Sequence, residues 1–269
     1  MTVDLHVHTT ASDGSLTPFQ VIEKASEIGL KAIAITDHDT VSGIAEGIKA
    51  AHEFKIKFVS GVELSCDFNG HEVHILGYFL NYRDPFLQNK LNMLQKERHE
   101  RALKIIDKIA KLGFYVSYEK VKEHASGSSV GRVHIAQALI ECGYFNNIQQ
   151  VFESLLGRNC PGYVSRKKLV PSEAINILKR VKGVPVLAHP GFLPGMDVVE
   201  DVIKQGIVGL EVHYPAHEPH TVQQLLQLAK KHNLVITGGS DFHGEHKGPY
   251  LGQSVVDVKV VEELYNLRG

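Results

Sequence analysis

The stretch Thr2-Val3-Asp4-Leu5-His6-Val7-His8-Thr9 is a short β-branched run that ends on two histidines. Residues i and i+2 of a strand point to the same face, so both imidazoles can reach one cation. The pattern recurs down the chain. Val3–Val7, Ala32–Thr36, Lys57–Leu64, Glu72–Leu80, Val184–Ala188, Val208–His213 and Leu234–Thr237 all read as strands. Amphipathic stretches lie between them. Thr17-Pro18-Phe19-Gln20 is a capping box with proline at the first helical position, and Gly29 ends that helix. Further helices are expected from Ser42 to about Glu53, Asp197 to about Lys204 and Glu218 to about His232. Strands separated by helices imply βα units and a parallel sheet. Seven of them predict an α/β protein whose sheet closes as a seven-stranded (β/α)7 barrel.

The alternation stops between about Pro85 and Pro171. Leu87, Leu91, Leu94, Leu103, Ile106 and Ile109 suit one long helix ending near Gly113. Shorter helices are expected around Tyr118–His124, His134–Cys142 and Ile148–Leu156. The barrel is therefore assigned to 1–85 and 171–269, with 86–170 an all-helical insertion that caps the substrate. Charge divides along the same line. The insertion holds 14 Lys+Arg against 7 Asp+Glu, leaving 15 and 23 for the rest, although the whole chain has a net charge of only -1. A basic lobe on an acidic body attracts anions, and an acidic body suits cations.

Bulk composition removes other classes. No apolar run approaches the ~20 residues of a membrane span. The amino terminus lacks the basic and apolar regions of a signal peptide. Cys66, Cys142 and Cys160 show no metal-type spacing and read as reduced thiols of a cytoplasmic protein. No Gly-x-Ser-x-Gly or phosphate-loop motif is present.

The strand ends carry the chemistry. His6 and His8 end the first strand, Thr36-Asp37-His38-Asp39 the second, and Gly61-Val62-Glu63 lies near the end of the third. His74 is on the fourth, Ala188-His189-Pro190 ends the fifth, and Ser240-Asp241-Phe242-His243 follows the seventh. In a βα barrel the carboxyl ends of the strands form the active face. One such histidine is easily an accident of packing; six elements ending alike need partners for their clustered imidazoles and carboxylates, and cations supply them. Nitrogen and carboxylate donors without cysteine suit zinc, manganese or iron. Asp13, in Ala11-Ser12-Asp13-Gly14, taken alone is a turn aspartate. Only one of His71 and His74 can face inward. His52, His99, His124, His220, His232 and His246 read as surface or capping residues.

Taken together, Asp4-Leu5-His6-Val7-His8-Thr9, Thr36-Asp37-His38-Asp39, Gly61-Val62-Glu63, His74-Ile75-Leu76-Gly77-Tyr78, Ala188-His189-Pro190-Gly191 and Gly239-Ser240-Asp241-Phe242-His243-Gly244 resemble the PHP (polymerase and histidinol phosphatase) family. The resemblance implies a distorted seven-stranded barrel with two to three divalent metal ions. It puts His6, His8, Glu63 and Asp241 on a first metal. Glu63 bridges to a second held by His74 and His189, while Asp13, His38 and His243 hold a third. Gly131-Arg132-Val133-His134, Leu156-Gly157-Arg158 and Pro161-Gly162-Tyr163-Val164 resemble the insertion of the branch of nucleoside 3′,5′-bisphosphate phosphatases and 5′-to-3′ exoribonucleases. Val133 replaces the proline usual there.

The expected activity is hydrolysis of the phosphate of a nucleoside 3′,5′-bisphosphate, and of short 5′-phosphorylated oligoribonucleotides, by water that bound cations acidify. Inorganic phosphate is the expected product. Glu63 is expected to set the metal spacing. Arg132 and His134 are expected at the substrate, with Arg98, Lys167 and Lys168 as further phosphate contacts and His134, His217 or a metal-bound water as proton donor to the leaving group. Two alternatives stand beside this reading: a histidinol-phosphate or other small phosphomonoesterase, and a non-catalytic nucleic-acid-binding accessory module.

Overall fold

A computed structural model describes residues 1–125, 129–165, 169–245 and 248–268. The barrel strands are β1 (Thr2–Asp4), β2 (Ala32–Ile35), β3 (Lys57–Phe68), β4 (His71–Tyr78), β5 (Val184–Leu187), β6 (Gly209–His213) and β7 (Val235–Gly238), joined by a two-residue β8 (Val256–Asp257). The order in the sheet is β7-β6-β5-β4-β3-β2-β1-β8. Its two ends are brought together beyond β1 and β7, where Leu5 N–H donates to Gly238 O, Asp241 N–H to His6 O and His8 N–H to Phe242 O. The expected seven-stranded α/β barrel is present, distorted and nearly closed.

The distortion corrects the expectation of a parallel sheet. β4 runs antiparallel to both β3 and β5, while β1–β2–β3 and β5–β6–β7 are parallel. The cause is local. Asn69 and Gly70 join β3 to β4 with φ of 51° and 83°, the left-handed pair of a two-residue hairpin turn. No helix separates these strands, so the chain doubles back. A reversed strand presents its first half, not its last, at the active face, and that half carries His74.

Around the barrel lie α1 (Pro18–Glu27), α2 (Ile44–Glu53), α7 (Pro171–Arg180), α8 (Met196–Ile203), α9 (Pro219–His232) and α10 (Lys259–Asn266). The Thr17 capping box is present in both directions. Strand residues sort by parity. Ala32, Ala34, Val184 and Val186 pack in a cluster with Val261 and Leu264 of α10, whereas Ile33, Ile35 and Leu187 pack in the cluster shared with the outer helices.

Between the barrel halves come α3 (Pro85–Ala110), α4 (Tyr118–His124), α5 (Arg132–Glu141) and α6 (Ile148–Val151), which runs on into a π-helical turn over Phe152–Leu156. α3 belongs to two cores. Leu87, Leu91 and Leu94 sit in the barrel's cluster, and Ala102, Ile105 and Ile109 in the helical segment's own. Leu103, expected in the stripe, is instead exposed, and Ile106 is only half-buried. The true stripe runs 87, 91, 94, 98, 102, 105 and 109, and its central member is Arg98. No helix among the described residues is long and apolar enough to cross a membrane.

Barrel closure leaves no room at Gly239. A Cβ there would meet His6 Cβ and lie 2.5 Å from the His6 backbone nitrogen. Gly239→Ala is expected to force the His6 and Gly239 segments apart and cost about 1–3 kcal/mol. Urea unfolding would read the loss, and unchanged stability would show that the seam is slack.

Candidate metal centre

The loop after β1 is fixed by Asp37. Its carboxylate accepts the Thr9 N–H at 2.8 Å, the Thr9 hydroxyl at 2.8 Å and the Ser12 hydroxyl at 2.6 Å. These bonds hold Asp13 beneath the histidines. The segment after β2 is laced to β3 by Glu63 N–H to Asp37 O and Asp39 N–H to Glu63 O, which sets His38 beside Glu63. On the β3–β4 hairpin Ser65 faces His74, so Glu63 and His74 are diagonal neighbours on one face. His189 and Asp241 both have left-handed backbones, with φ of 28° and 53°. Non-glycine residues held there mark sites where the surrounding structure over-determines the chain.

All nine residues expected as ligands come together, in three overlapping groups. In the first, His6 Nε2 lies 3.1 Å from His8 Nε2 and 3.3 Å from Asp241 Oδ1. His8 Nε2 is 3.1 Å from the same Asp241 oxygen and 3.2 Å from Glu63 Oε2. In the second, Glu63 Oε1 is 2.8 Å from His74 Nδ1 and 3.1 Å from His189 Nε2, and the two imidazole nitrogens are 3.2 Å apart. In the third, Asp13 lies 3.4 Å from His243 Nε2, 3.9 Å from His38 Nε2 and 3.6 Å from His8 Nδ1. His38 Nδ1 is also 2.9 Å from Glu63 Oε2. Glu63 thus touches every group. His71 stands at the exposed start of β4, apart from the cluster. His99, His124 and His232 pair locally with Tyr118, Glu141 and Glu200. His246 lies outside the described residues.

These contacts fit cations better than they fit one another. Donors bonded to one divalent ion at ~2.1 Å stand about 3.0–3.4 Å apart, close to the 2.8–3.3 Å spacing of the first two groups. His8 Nδ1, His38 Nδ1, Glu63 Oε2, His74 Nε2 and Asp241 Oδ1 are buried without a hydrogen bond. When neutral, His6 donates through Nδ1 to Glu211 Oε1 at 3.0 Å, which leaves its Nε2 a lone pair facing the Nε2 of His8. Facing acceptors at this distance need a proton or a metal between them.

The electrostatics agree. Burial opposes the charge on Glu63, yet His38, His74 and His6 outweigh it and hold the carboxyl well below its usual range. Asp13 and Asp241 are held low in the same way, against burial, by His243 and His38 and by His6 and His243. Burial also opposes charge on His8 and His74, but Asp241 and Glu63 push His8 up to about 10, and Glu63 pushes His74 up to about 9. Metal and protons compete for these nitrogens.

Two residues behind the ligands were not anticipated. Glu211 on β6 accepts from His6 Nδ1 and, at 2.7 Å, from the His189 N–H, so one buried carboxylate orients two residues of the cluster. Tyr214 donates its hydroxyl to Asp241 Oδ2 at 2.9 Å. A glutamate inside the buried strand Gly209-Leu210-Glu211-Val212 is the signal that could have found the first.

The expected substrate residues separate. Arg98 donates through Nε to Asp39 Oδ2 at 2.7 Å and through Nη2 to the Ser65 hydroxyl at 2.9 Å, tying α3 to the residue after His38. Arg132 contacts Glu72 Oε2 at 3.2 Å and the Leu156 carbonyl at 3.3 Å, with its guanidinium over the Phe152 and Tyr163 rings. With Arg101, which was not anticipated, they line a cleft of about 230 Å³ whose other walls include Asp13, His38 and His74. His134 is wholly buried at the start of α5, where Nδ1 accepts the Gly131 N–H at 3.0 Å. His217 donates to Val212 O and accepts the Gly191 N–H, so it braces the turn after His189. Lys167 and Lys168 lie outside the described residues.

The PHP domain family matches residues 4–156. The chain belongs to that family. It is similar to the 5′-3′ exoribonuclease Rnm of Escherichia coli, 32% identical over 98% of this chain and 92% of that one. It is likewise similar to the 3′,5′-nucleoside bisphosphate phosphatase of Chromobacterium violaceum, 31% identical over 91% and 88% of the two chains. Among solved structures, a candidate metal-dependent phosphoesterase from Bifidobacterium adolescentis superposes with a TM-score of 0.91 at 28% identity, covering 98% of this chain and 95% of its own. This PHP protein is a metal-dependent phosphoesterase, a hydrolase of phosphate esters. The accessory-module reading is not favoured.

Because Glu211 aims both His6 and His189, Glu211→Gln is expected to weaken metal binding about 10–100-fold while the fold persists. Metal content after dialysis against graded chelator would measure it, and retention equal to the unchanged protein would remove Glu211 from the centre.

Proposed function

We propose that the protein hydrolyses the phosphate of nucleoside 3′,5′-bisphosphates and of short 5′-phosphorylated oligoribonucleotides, with the helical segment 86–170 capping the substrate. The observation that carries this reading is the cleft in which Arg98, Arg101 and Arg132 face the metal-ligand cluster. A substrate with one phosphate at the cluster has room for a second against guanidinium groups, which grip phosphate bidentately. A monophosphate such as histidinol phosphate makes no use of that cleft.

His6, His8, Glu63 and Asp241 are proposed as one ligand set, Glu63, His74 and His189 as a second, and Asp13, His38 and His243 as a third, for two to three manganese, iron or zinc ions. Such ions, when bound, supply an acidified water and neutralise phosphoryl charge. The chain's own residues do the rest. Glu63, with both oxygens engaged, fixes the spacing between sets. Glu211 and Tyr214 hold His6, His189 and Asp241 in line. Arg132 grips the second phosphate, and the rings of Phe152 and Tyr163 hold its planar guanidinium in place for that contact. Arg98, committed to Asp39 and Ser65, positions the wall rather than reaching for substrate.

Release of inorganic phosphate from adenosine 3′,5′-bisphosphate and from histidinol phosphate, and of mononucleotides from a short 5′-phosphorylated RNA, each with Mn²⁺, tests the reading. Preference for histidinol phosphate would overturn it. Asp241→Asn is expected to abolish turnover with the fold intact by circular dichroism, and full activity in metal-saturated buffer would remove it from the ligand set. Arg132→Ala is expected to lower kcat/KM for the bisphosphate about 10–100-fold, the worth of a charged hydrogen-bonded contact. The same variant should leave adenosine 3′-monophosphate nearly unaffected. Equal losses on both would end its role as a clamp.

A further inference from the structure

We propose that the second cleft of the metal centre is a nucleobase subsite, with the exposed ring of Phe192 as its stacking surface. This rests on the nucleotide reading above and adds where the base goes. The cleft has a volume of about 400 Å³ and shares His38, Glu72 and His74 with the arginine cleft. Among the described residues no lysine or arginine lines it, and Val73, Leu187, Phe192 and Leu193 make its apolar wall.

Phe192 is 62% exposed, yet it is held firmly. It ends a 3-10 turn over Pro190–Phe192, and its N–H bonds back to His189 O at 3.2 Å. Its ring meets Tyr214 edge-on at 5.4 Å and lies 5.5 Å from the His189 ring. A single exposed phenylalanine on a loop is ordinary. One anchored against a ligand histidine, and against the tyrosine that holds Asp241, faces the reacting phosphate. The two clefts therefore sort a substrate by chemistry. With one phosphate at the cluster and the other among the arginines, the third substituent of the ribose, a flat uncharged base, is left for the wall without charge. Every base has a π face, so such a surface takes all four bases, as hydrolysis of mixed-sequence RNA requires.

The sequence has no tryptophan, so Phe192→Trp provides a single fluorescent reporter. AMP is expected to quench it, and ribose 5-phosphate to leave it unchanged. Phe192→Ala is expected to raise KM for adenosine 3′,5′-bisphosphate roughly 5- to 150-fold, the worth of one base–aromatic stack. KM for 1-deoxyribose 3,5-bisphosphate and the bound metal should not move, and Phe192→Tyr should restore the wild-type KM. No quenching by AMP, or an equal KM change on both substrates, would overturn the subsite. Quenching by AMP without turnover of any bisphosphate would uphold the subsite and sink the substrate reading. Turnover with one KM for wild type and Phe192→Ala would do the reverse.

Discussion

The carboxylate of Glu63 is 1% exposed and stands within 3.5 Å of five imidazoles: His6, His8, His38, His74 and His189. A buried carboxylate alone would take up a proton; among these partners it stays ionised. The rest of the barrel is organised so that this geometry can exist. β3 is 12 residues long, which carries Glu63 beyond its pairing with β2 and into the hairpin with β4. The reversed β4 then returns His74 to the same face. The seam between Gly239 and His6 brings Asp241 to the opposite side of the cluster.

A second constraint lies in α3. Its apolar stripe serves the barrel in one half and the helical segment in the other, and the stripe is crossed at Arg98 by a buried ion pair with Asp39. A guanidinium desolvated in this way is tolerable only with its partners in place. The pair therefore registers the segment against the residue next to His38. Arg98 and Arg101 of this helix line the arginine cleft together with Asp13, His38 and His74 of the barrel.

Much of the site was legible because its residues lie at strand ends. An His-x-His or Asp-x-His spacing constrains direction through the strand period of two, and βα geometry gathers strand ends on one face. Glu63 and His74 were legible as residues, but their approach was not, because it depends on the antiparallel hairpin. Asn69-Gly70 signals that turn, but the expectation of βα units made no use of it. Arg98 illustrates the converse. Its place in the stripe was missed because Leu103 and Ile106 were expected there, and its partner Asp39 is 59 residues away, so only packing joins them. His134 and His217 look alike in sequence to reactive histidines; the folded chain uses their nitrogens to bond Gly131, Gly191 and Val212.

What the sequence determined by itself is the chemistry available: nine nitrogen and oxygen donors, the α/β alternation that carries them, and a basic helical segment beside an acidic barrel. These follow from local rules of periodicity, capping and charge, which act between near neighbours along the chain. Tertiary structure alone decided which donors meet, which arginine is spent on the protein and which faces the cleft, and that Glu211, Tyr214 and Phe192 stand behind or beside the ligands. Those outcomes depend on contacts across tens to hundreds of residues. Burial and strand direction, rather than residue type, set which polar atoms find partners and which are left to face a metal.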